Sequence, residues 1–141
     1  MYRDGSMRHY DIIKVKEDGS ITIPREFAYE IGLVRDSYFL VEIDTDLNEV
    51  HLERIALPGK QLIEVEFVVE DKPGVLAKIS GLFGKHRVNI LFNESEELAE
   101  IGLAAIVAVV DTSKSDTPLE ELKKELLNVE EVRELRLKKL E

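Results

Sequence analysis

Between Leu62 and Val69 the apolar residues Ile63, Val65, Phe67 and Val69 alternate with Glu64 and Glu66, which predicts a strand with one buried face. Val75, Leu76, Ile79, Leu82 and Phe83 then fall at helical spacing, and Val88 to Phe92 returns to a strand pattern. The apolar run Leu103 to Val110 is long enough for a central strand. Thr117-Pro118-Leu119-Glu120 has the residues of a capping box with proline at the first helical position, and Leu119, Leu122, Leu126 and Val129 give that helix a buried face. Val132 to Leu140 closes as a strand. The predicted order is βαββαβ, with two helices on one face of a four-stranded antiparallel sheet.

The first part of the chain has a shorter rhythm. Asp11 to Lys16 is strand-like, Glu17-Asp18-Gly19-Ser20 has turn chemistry, and Ile21-Thr22-Ile23 alternates again. Pro24 opens a short helical pattern in which Ile23, Phe27 and Ile31 share a face and Gly32 ends it. Tyr38 to Asp44 and Glu49 to Arg54 follow as strands joined across Thr45-Asp46-Leu47-Asn48, so the predicted order is ββαββ. A unit this small buries too little surface to be stable alone, and pairing with a second copy is the natural remedy. Leu57-Pro58-Gly59-Lys60 breaks the pattern as a linker. The expectation is an α+β chain with domains at 1–57 and 61–141.

Composition narrows the class. Hydrophobic residues make up 44% and charged residues 34% of the 141, the balance of a folded globular chain. No apolar run reaches the roughly 18 residues of a membrane span, and the N-terminus lacks the apolar stretch of a signal peptide, so a cytoplasmic location is expected. The chain has no cysteine, which removes disulfides, thiolate metal sites and thiol nucleophiles together. His9, His51 and His86 are scattered without a second ligand at metal spacing, and His86 reads as part of an exposed turn. Asn93 to Glu97 reads as a solvated hairpin loop. With no phosphate-binding loop, nucleophile elbow or dinucleotide fingerprint, the expectation is a protein that is not an enzyme and takes no cofactor or metal.

The residues with the most specific chemistry are Asp71-Lys72-Pro73-Gly74, where a strand gives way to a helix. Pro73 removes one donor, Gly74 lets another group approach the backbone, and the first helical turn offers free amides to a carboxylate or phosphate. The bland alternative is an ordinary entry turn for a sheet-packed helix. The stretch DKPGVLAKISGLFGKHRVNI resembles the ACT domain, whose pattern is D/N-x-P-G-V-L, a helix, and a closing V-N-I. The resemblance implies a ferredoxin-like βαββαβ fold over Leu62 to Leu140 and a small-molecule ligand, an amino acid in much of the family, held between paired domains. Carried onto this chain, the ligand-binding residues are Asp71, Lys72, Pro73, Gly74, Val75 and Leu76, with Asn89 and Ile90 at the strand opening. Serine-sensing members of the family have asparagine where this chain has Asp71, and a carboxylate there favours a ligand's ammonium over its carboxylate.

The stretch VKEDGSITIPREFAYEIGLVRDSYFLVEI resembles the SpoVT/AbrB family of swapped-hairpin DNA-binding domains, with Val15, Gly19, Ile21, Ile23, Pro24, Glu26, Gly32 and Leu33 matching its pattern. The resemblance implies an intertwined homodimer, and the basic residues left in this chain to contact DNA are Arg8, Lys14, Lys16 and Arg25. Arginines common in that family are replaced here by Ser20, Ala28 and Tyr29. The net charge is −10, and residues 1–60 hold 8 Lys and Arg against 12 Asp and Glu, which opposes phosphate binding. Two expectations follow: a non-catalytic regulator of amino-acid metabolism that senses a ligand and contacts DNA, or a sensor or assembly subunit that acts on a partner protein after losing DNA binding. An antitoxin fits less well, because the C-terminal part is a folded domain.

Overall fold

The computed structural model describes residues 9–141. The chain divides into two compact units, one ending at Pro58 and one running Gly59–Glu141.

In the first unit α1 (Arg25–Glu30) precedes the antiparallel hairpin of β1 (Tyr38–Asp44) and β2 (Glu49–Ala56). Helix α1 is closed by the Leu33 N–H donating to Ala28 O at 2.8 Å, with Gly32 left-handed at φ 73°. A Cβ at Gly32 would collide with the Arg54 guanidinium. The β1–β2 connection is held by Asp44 Oδ1, which accepts from the N–H groups of Asp46 and Leu47, and by Asn48 at φ 55°.

The expected strands at 11–16 and 21–23 do not form within one chain, so the order here is αββ and not ββαββ. The turn between them exists: Gly19 N–H donates to Lys16 O, and Lys16 N–H donates to Ser20 O, both at 2.9 Å. What is missing is a neighbouring strand for the arms on either side. Tyr10, Ile12, Val15 and Ile21 are exposed in consequence. Among the described residues of this unit only Ala56 is buried, so one copy has no hydrophobic core of its own.

The second unit has a core. Its elements are β3 (Leu62–Glu70), α2 (Val75–Lys85), β4 (Asn89–Glu97), β5 (Leu103–Asp111), α3 (Leu119–Leu127) and β6 (Val132–Lys139). They form an antiparallel sheet in the order β4-β5-β3-β6, the ferredoxin-like βαββαβ pattern. One face of the sheet supplies Ile63, Val65, Phe67 and Val69 from β3 and Ala104, Ile106, Ala108 and Val110 from β5. Val75, Ile79 and Phe83 of α2, with Leu122 and Leu126 of α3, cover that face. Both helices are amphipathic and lie on the same side, so the period-two and period-3.6 patterns meet in a single layer.

Three local expectations need correction. Residues 93–97 are not a loop but the second half of β4, because β5 is long enough to pair with them as far as Glu97↔Ala104. Thr117 and Glu120 make no capping box, since the N-cap is Pro118 and no side chain caps α3. The Thr117 hydroxyl is instead 2.6 Å from His86 Nδ1. His86 is accordingly not exposed: its ring is wedged between Thr117 and Glu125, with Nε2 2.7 Å from a Glu125 carboxylate oxygen, joining the end of α2 to α3.

Asp111 closes the far end of β5. Its carboxylate is buried and accepts from the N–H of Gln61 at 3.2 Å and from the N–H and hydroxyl of Ser113 at 3.0 Å, with Lys60 at 4.0 Å. Burial alone would raise its pKa, but these donors together outweigh it and hold the group below the ordinary carboxylate value. A carboxyl that ionises more readily when folded contributes stability above its unfolded pKa of about 4, and loses it as the pH falls through the lower folded value. Asp111→Asn is expected to lower stability at neutral pH by roughly 1 kcal/mol and to flatten the acid limb of the stability curve. Urea unfolding at neutral and acid pH checks this, and parallel curves for the two proteins would show that Asp111 carries none of the pH dependence.

Candidate functional site

The turn between β3 and α2 is fixed from both sides. Glu70 N–H donates to Glu131 O and Asp71 N–H donates to Gly102 O, each at 2.8 Å, so the turn is tied to the start of β6 and to the β4–β5 hairpin tip. Gly74 is the N-cap of α2 at φ 89°, ψ −10°, a left-handed conformation that glycine adopts without strain. No side chain caps the helix, and among the described residues the first-turn amides of Leu76 and Ala77 have no hydrogen-bond acceptor. These donors sit at the positive end of an 11-residue helix.

The charged side chains around the turn separate into paired and free groups. Lys72 Nζ lies 2.9 Å from Glu70 Oε1, and this hydrogen bond raises the lysine pKa and lowers that of the glutamate. Lys78 spans both oxygens of Glu131 at 2.7 and 3.0 Å and lowers the carboxyl pKa in the same way. Arg133 adds a contact of 3.5 Å to Glu70. The bases near the turn are therefore already matched by acids. On the other side Asp71, Glu97 and Glu100 line a cavity of about 290 Å³ with the hairpin residues Leu98 to Leu103.

The sequence-predicted residues do not all gather here. Asp71, Lys72, Pro73, Gly74 and Leu76 are exposed at one end of the sheet. Val75 is in the core, 3% exposed, and is a packing residue. Asn89 and Ile90 lie at the opposite end: Asn89 pairs with Asp111, which pairs with Leu62 at the start of β3. The reason is geometric. Helix α2 starts where β3 ends and must run back along the sheet, about 16 Å for its length, before β4 can begin.

The register of β4 reveals residues that sequence reasoning missed. Asn93, Ser95 and Glu97 pair with Ala108, Ile106 and Ala104, all of which face the helices, so these three polar residues share the helix side of the sheet. They are exposed because they lie in the second half of this edge strand, beyond Ile90, which packs against the core. The signal available in the sequence was the period-two spacing of Asn93, Ser95 and Glu97, masked by the loop-like composition of the stretch.

The residues proposed for DNA contact are dispersed. Arg8 lies outside the described residues, Lys14 and Arg25 are exposed, and Lys16 Nζ is hydrogen-bonded to the Thr22 hydroxyl at 2.7 Å. Ser20 donates its N–H and its hydroxyl to Asp18 Oδ1 at 3.0 and 2.6 Å, and those bonds, the hydroxyl first, lower the Asp18 pKa. Among the described residues no group of three or more His, Asp and Glu is placed to hold a metal ion, and no helix is long and apolar enough to cross a membrane.

The βαββαβ sheet, with a glycine-capped, donor-rich turn after its first strand, defines the second unit as a ferredoxin-like module. Residues 63–127 match the ACT domain family, and this part of the chain is an ACT domain. Such domains generally bind small ligands, regulate the proteins that carry them, and often oligomerise. No curated protein matches the chain. Similar solved structures include the ACT domain from the GTP pyrophosphokinase of Chlorobium tepidum, at 22% identity over 55% of this chain and 97% of that one, with a TM-score of 0.44. The P2 domain of the chemotaxis kinase CheA, in complex with the response regulator CheY, from Thermotoga maritima is 12% identical over 58% of this chain and 100% of that one, with a TM-score of 0.46. The C-terminal domain of the MgtC protein from Mycobacterium tuberculosis is 15% identical over 59% and 90%, with a TM-score of 0.49.

Proposed function

We propose that the protein is a non-catalytic regulator of amino-acid metabolism that binds an amino acid at the β3–α2 turn and works as a homodimer or larger homo-oligomer. The observation that carries this reading is the pairing of opposite chemistries at one turn. The unpaired amides of Leu76 and Ala77 suit a ligand carboxylate, and the cavity that Asp71, Glu97 and Glu100 line on the other side of the turn suits an ammonium. Asn89 enters through the second copy. Strand β4 is a sheet edge, and joining two copies antiparallel through it would carry Asn89 of one to the Glu97 end of the other, next to the turn. Ligand binding would then bias how the two domains pair, provided it favours one arrangement over the other.

The N-terminal unit supports a dimer from a different direction. Its unpaired arms and exposed Tyr10, Ile12, Val15 and Ile21 fit a SpoVT/AbrB-like exchange of hairpins, in which a second copy supplies the missing neighbours. Burying one such side chain is worth about 1.5–3 kcal/mol, enough in sum to account for the folding of a unit that has no core alone.

Thermal unfolding against the twenty amino acids tests the sensor. A ligand at about a hundred times its Kd is expected to raise the midpoint on the order of 10 °C, and Asn89→Ala is expected to remove the shift. A flat response to all of them would reduce the ACT domain to an assembly module.

A second reading, that the chain acts on a partner protein and no longer on DNA, is favoured by the N-terminal turn. Ser20 is occupied by Asp18, Lys16 by Thr22, and acids outnumber bases in residues 1–60. On this reading DNA fragments are not retarded even at low salt, and retardation that fades as salt is added would restore the DNA-binding form.

A further inference from the structure

We propose that Arg87 of one copy docks between Glu97 and Glu100 at the end of the β4–β5 hairpin of a second copy. The contact rests on the β4 edge pairing proposed above and names the charges that fix it. Strand β4 has 9 residues, so its longest antiparallel pairing with itself sets Asn93 opposite Asn93. Counting outward from that pair sets Arg87 opposite Ala99, or opposite Leu98 where the irregularity between Ile90 and Phe92 shifts the new ladder as it shifts the pairing with β5. Both positions lie between Glu97 and Glu100. The hairpin keeps its ladder geometry that far, because Leu98 N–H donates to Leu103 O at 3.1 Å.

The acidic side has no cation of its own. No basic residue lines the cavity that holds Asp71, Glu97 and Glu100, and the bases nearest the turn are already taken, Lys72 and Arg133 by Glu70 and Lys78 by Glu131. Arg87 is the converse, a base without an acid. Its neighbours Lys85 and His86 lie 3.8 and 2.7 Å from Glu125, whereas Arg87 is exposed and has no ion pair among the described residues. Asp111, which pairs with Asn89, is held by Gln61, Ser113 and Lys60. Arg87 also has φ 58°, a left-handed position that glycine fills without strain, so the local fold does not call for arginine. A guanidinium can meet two carboxylates at once, which suits a docking point with an acid on either side. Asp71 then remains for the ligand's ammonium. Its N–H donates to Gly102 O at 2.8 Å, and that bond joins the docked hairpin end to the ligand turn.

The absence of cysteine lets a single introduced thiol report the pairing in the full chain. Opposed residues of an antiparallel ladder have Cα atoms about 4.5–5.5 Å apart, within the roughly 7 Å that a disulfide allows. Oxidised with diamide, Asn93→Cys is expected to give roughly tenfold more linked dimer than Lys138→Cys, which stands on β6 at the other edge of the sheet. Adding Arg87→Glu is expected to lower the Asn93→Cys yield about tenfold, and adding Glu97→Lys with Glu100→Lys to that same chain to restore most of it. Arg87→Gly, which keeps the turn, is expected to lower the yield several-fold while leaving the circular dichroism of the parent. Linkage through Asn93→Cys that is indifferent to Arg87→Glu would overturn the arginine contact and leave the strand pairing standing. No linkage above the Lys138→Cys control would overturn both.

Discussion

Replacing Phe83 with alanine is expected to cost the C-terminal unit about 3–5 kcal/mol. The ring is completely buried and meets Phe67 edge-on, with centroids 6.4 Å apart and planes at 69°. It stands under the middle of the sheet, where no loop can collapse to fill the space it would leave. A domain of this size has only about 4–12 kcal/mol in total, so the loss is a large part of its stability. Urea unfolding followed by circular dichroism reads the loss as a midpoint lowered by about 1 M or more. Ile101→Ala is the contrast, expected within about 0.5 kcal/mol of the parent because the side chain touches solvent alone. A Phe83→Ala loss below about 1 kcal/mol would mean that the core is assembled differently from the packing described.

Gly74→Val is expected to abolish binding of whichever amino acid stabilises the parent, by at least about a hundredfold, since a branched side chain would stand where the ligand meets the backbone. The structure adds a second effect. Gly74 has φ 89°, so valine there also strains the turn by about 1–2 kcal/mol although nothing lies within 4 Å of its Cβ. Gly74→Asn separates the two effects, because asparagine tolerates the left-handed region yet still places a side chain in the approach. Both variants should lose the ligand in calorimetry, and Val alone should lose stability. Parent-like affinity in the asparagine variant would remove the turn from the binding site.

The C-terminal fold was legible because its two periodicities are clean. Ile63 to Val69 could only put one face inward, and the spacing of Val75, Ile79 and Phe83 could only make a helix that packs on it. Errors arose where composition imitated a loop. Asn93 to Glu97 are polar because they lie at an uncovered edge, not because they leave the sheet. His86 looked like a turn residue between Lys85 and Arg87, yet residues 31 and 39 positions further on, Thr117 and Glu125, enclose it. Nothing local could have announced either partner.

The N-terminal unit reverses the balance. Its strand signals at 11–16 and 21–23 are as good as those elsewhere, but a strand is a relation between two segments, and neither arm has a paired neighbour here. The candidate site shows the same division. Sequence by itself determined which residues can form the β3–α2 turn, because proline, glycine and the helical spacing after them act over a few bonds. Only the tertiary structure decided that Asn89 lies at the far end of the sheet from that turn, that Val75 is spent in the core, and that Glu97 and Glu100 stand beside Asp71. Those relations depend on helix length and strand register acting together, and both are set by packing over the whole domain.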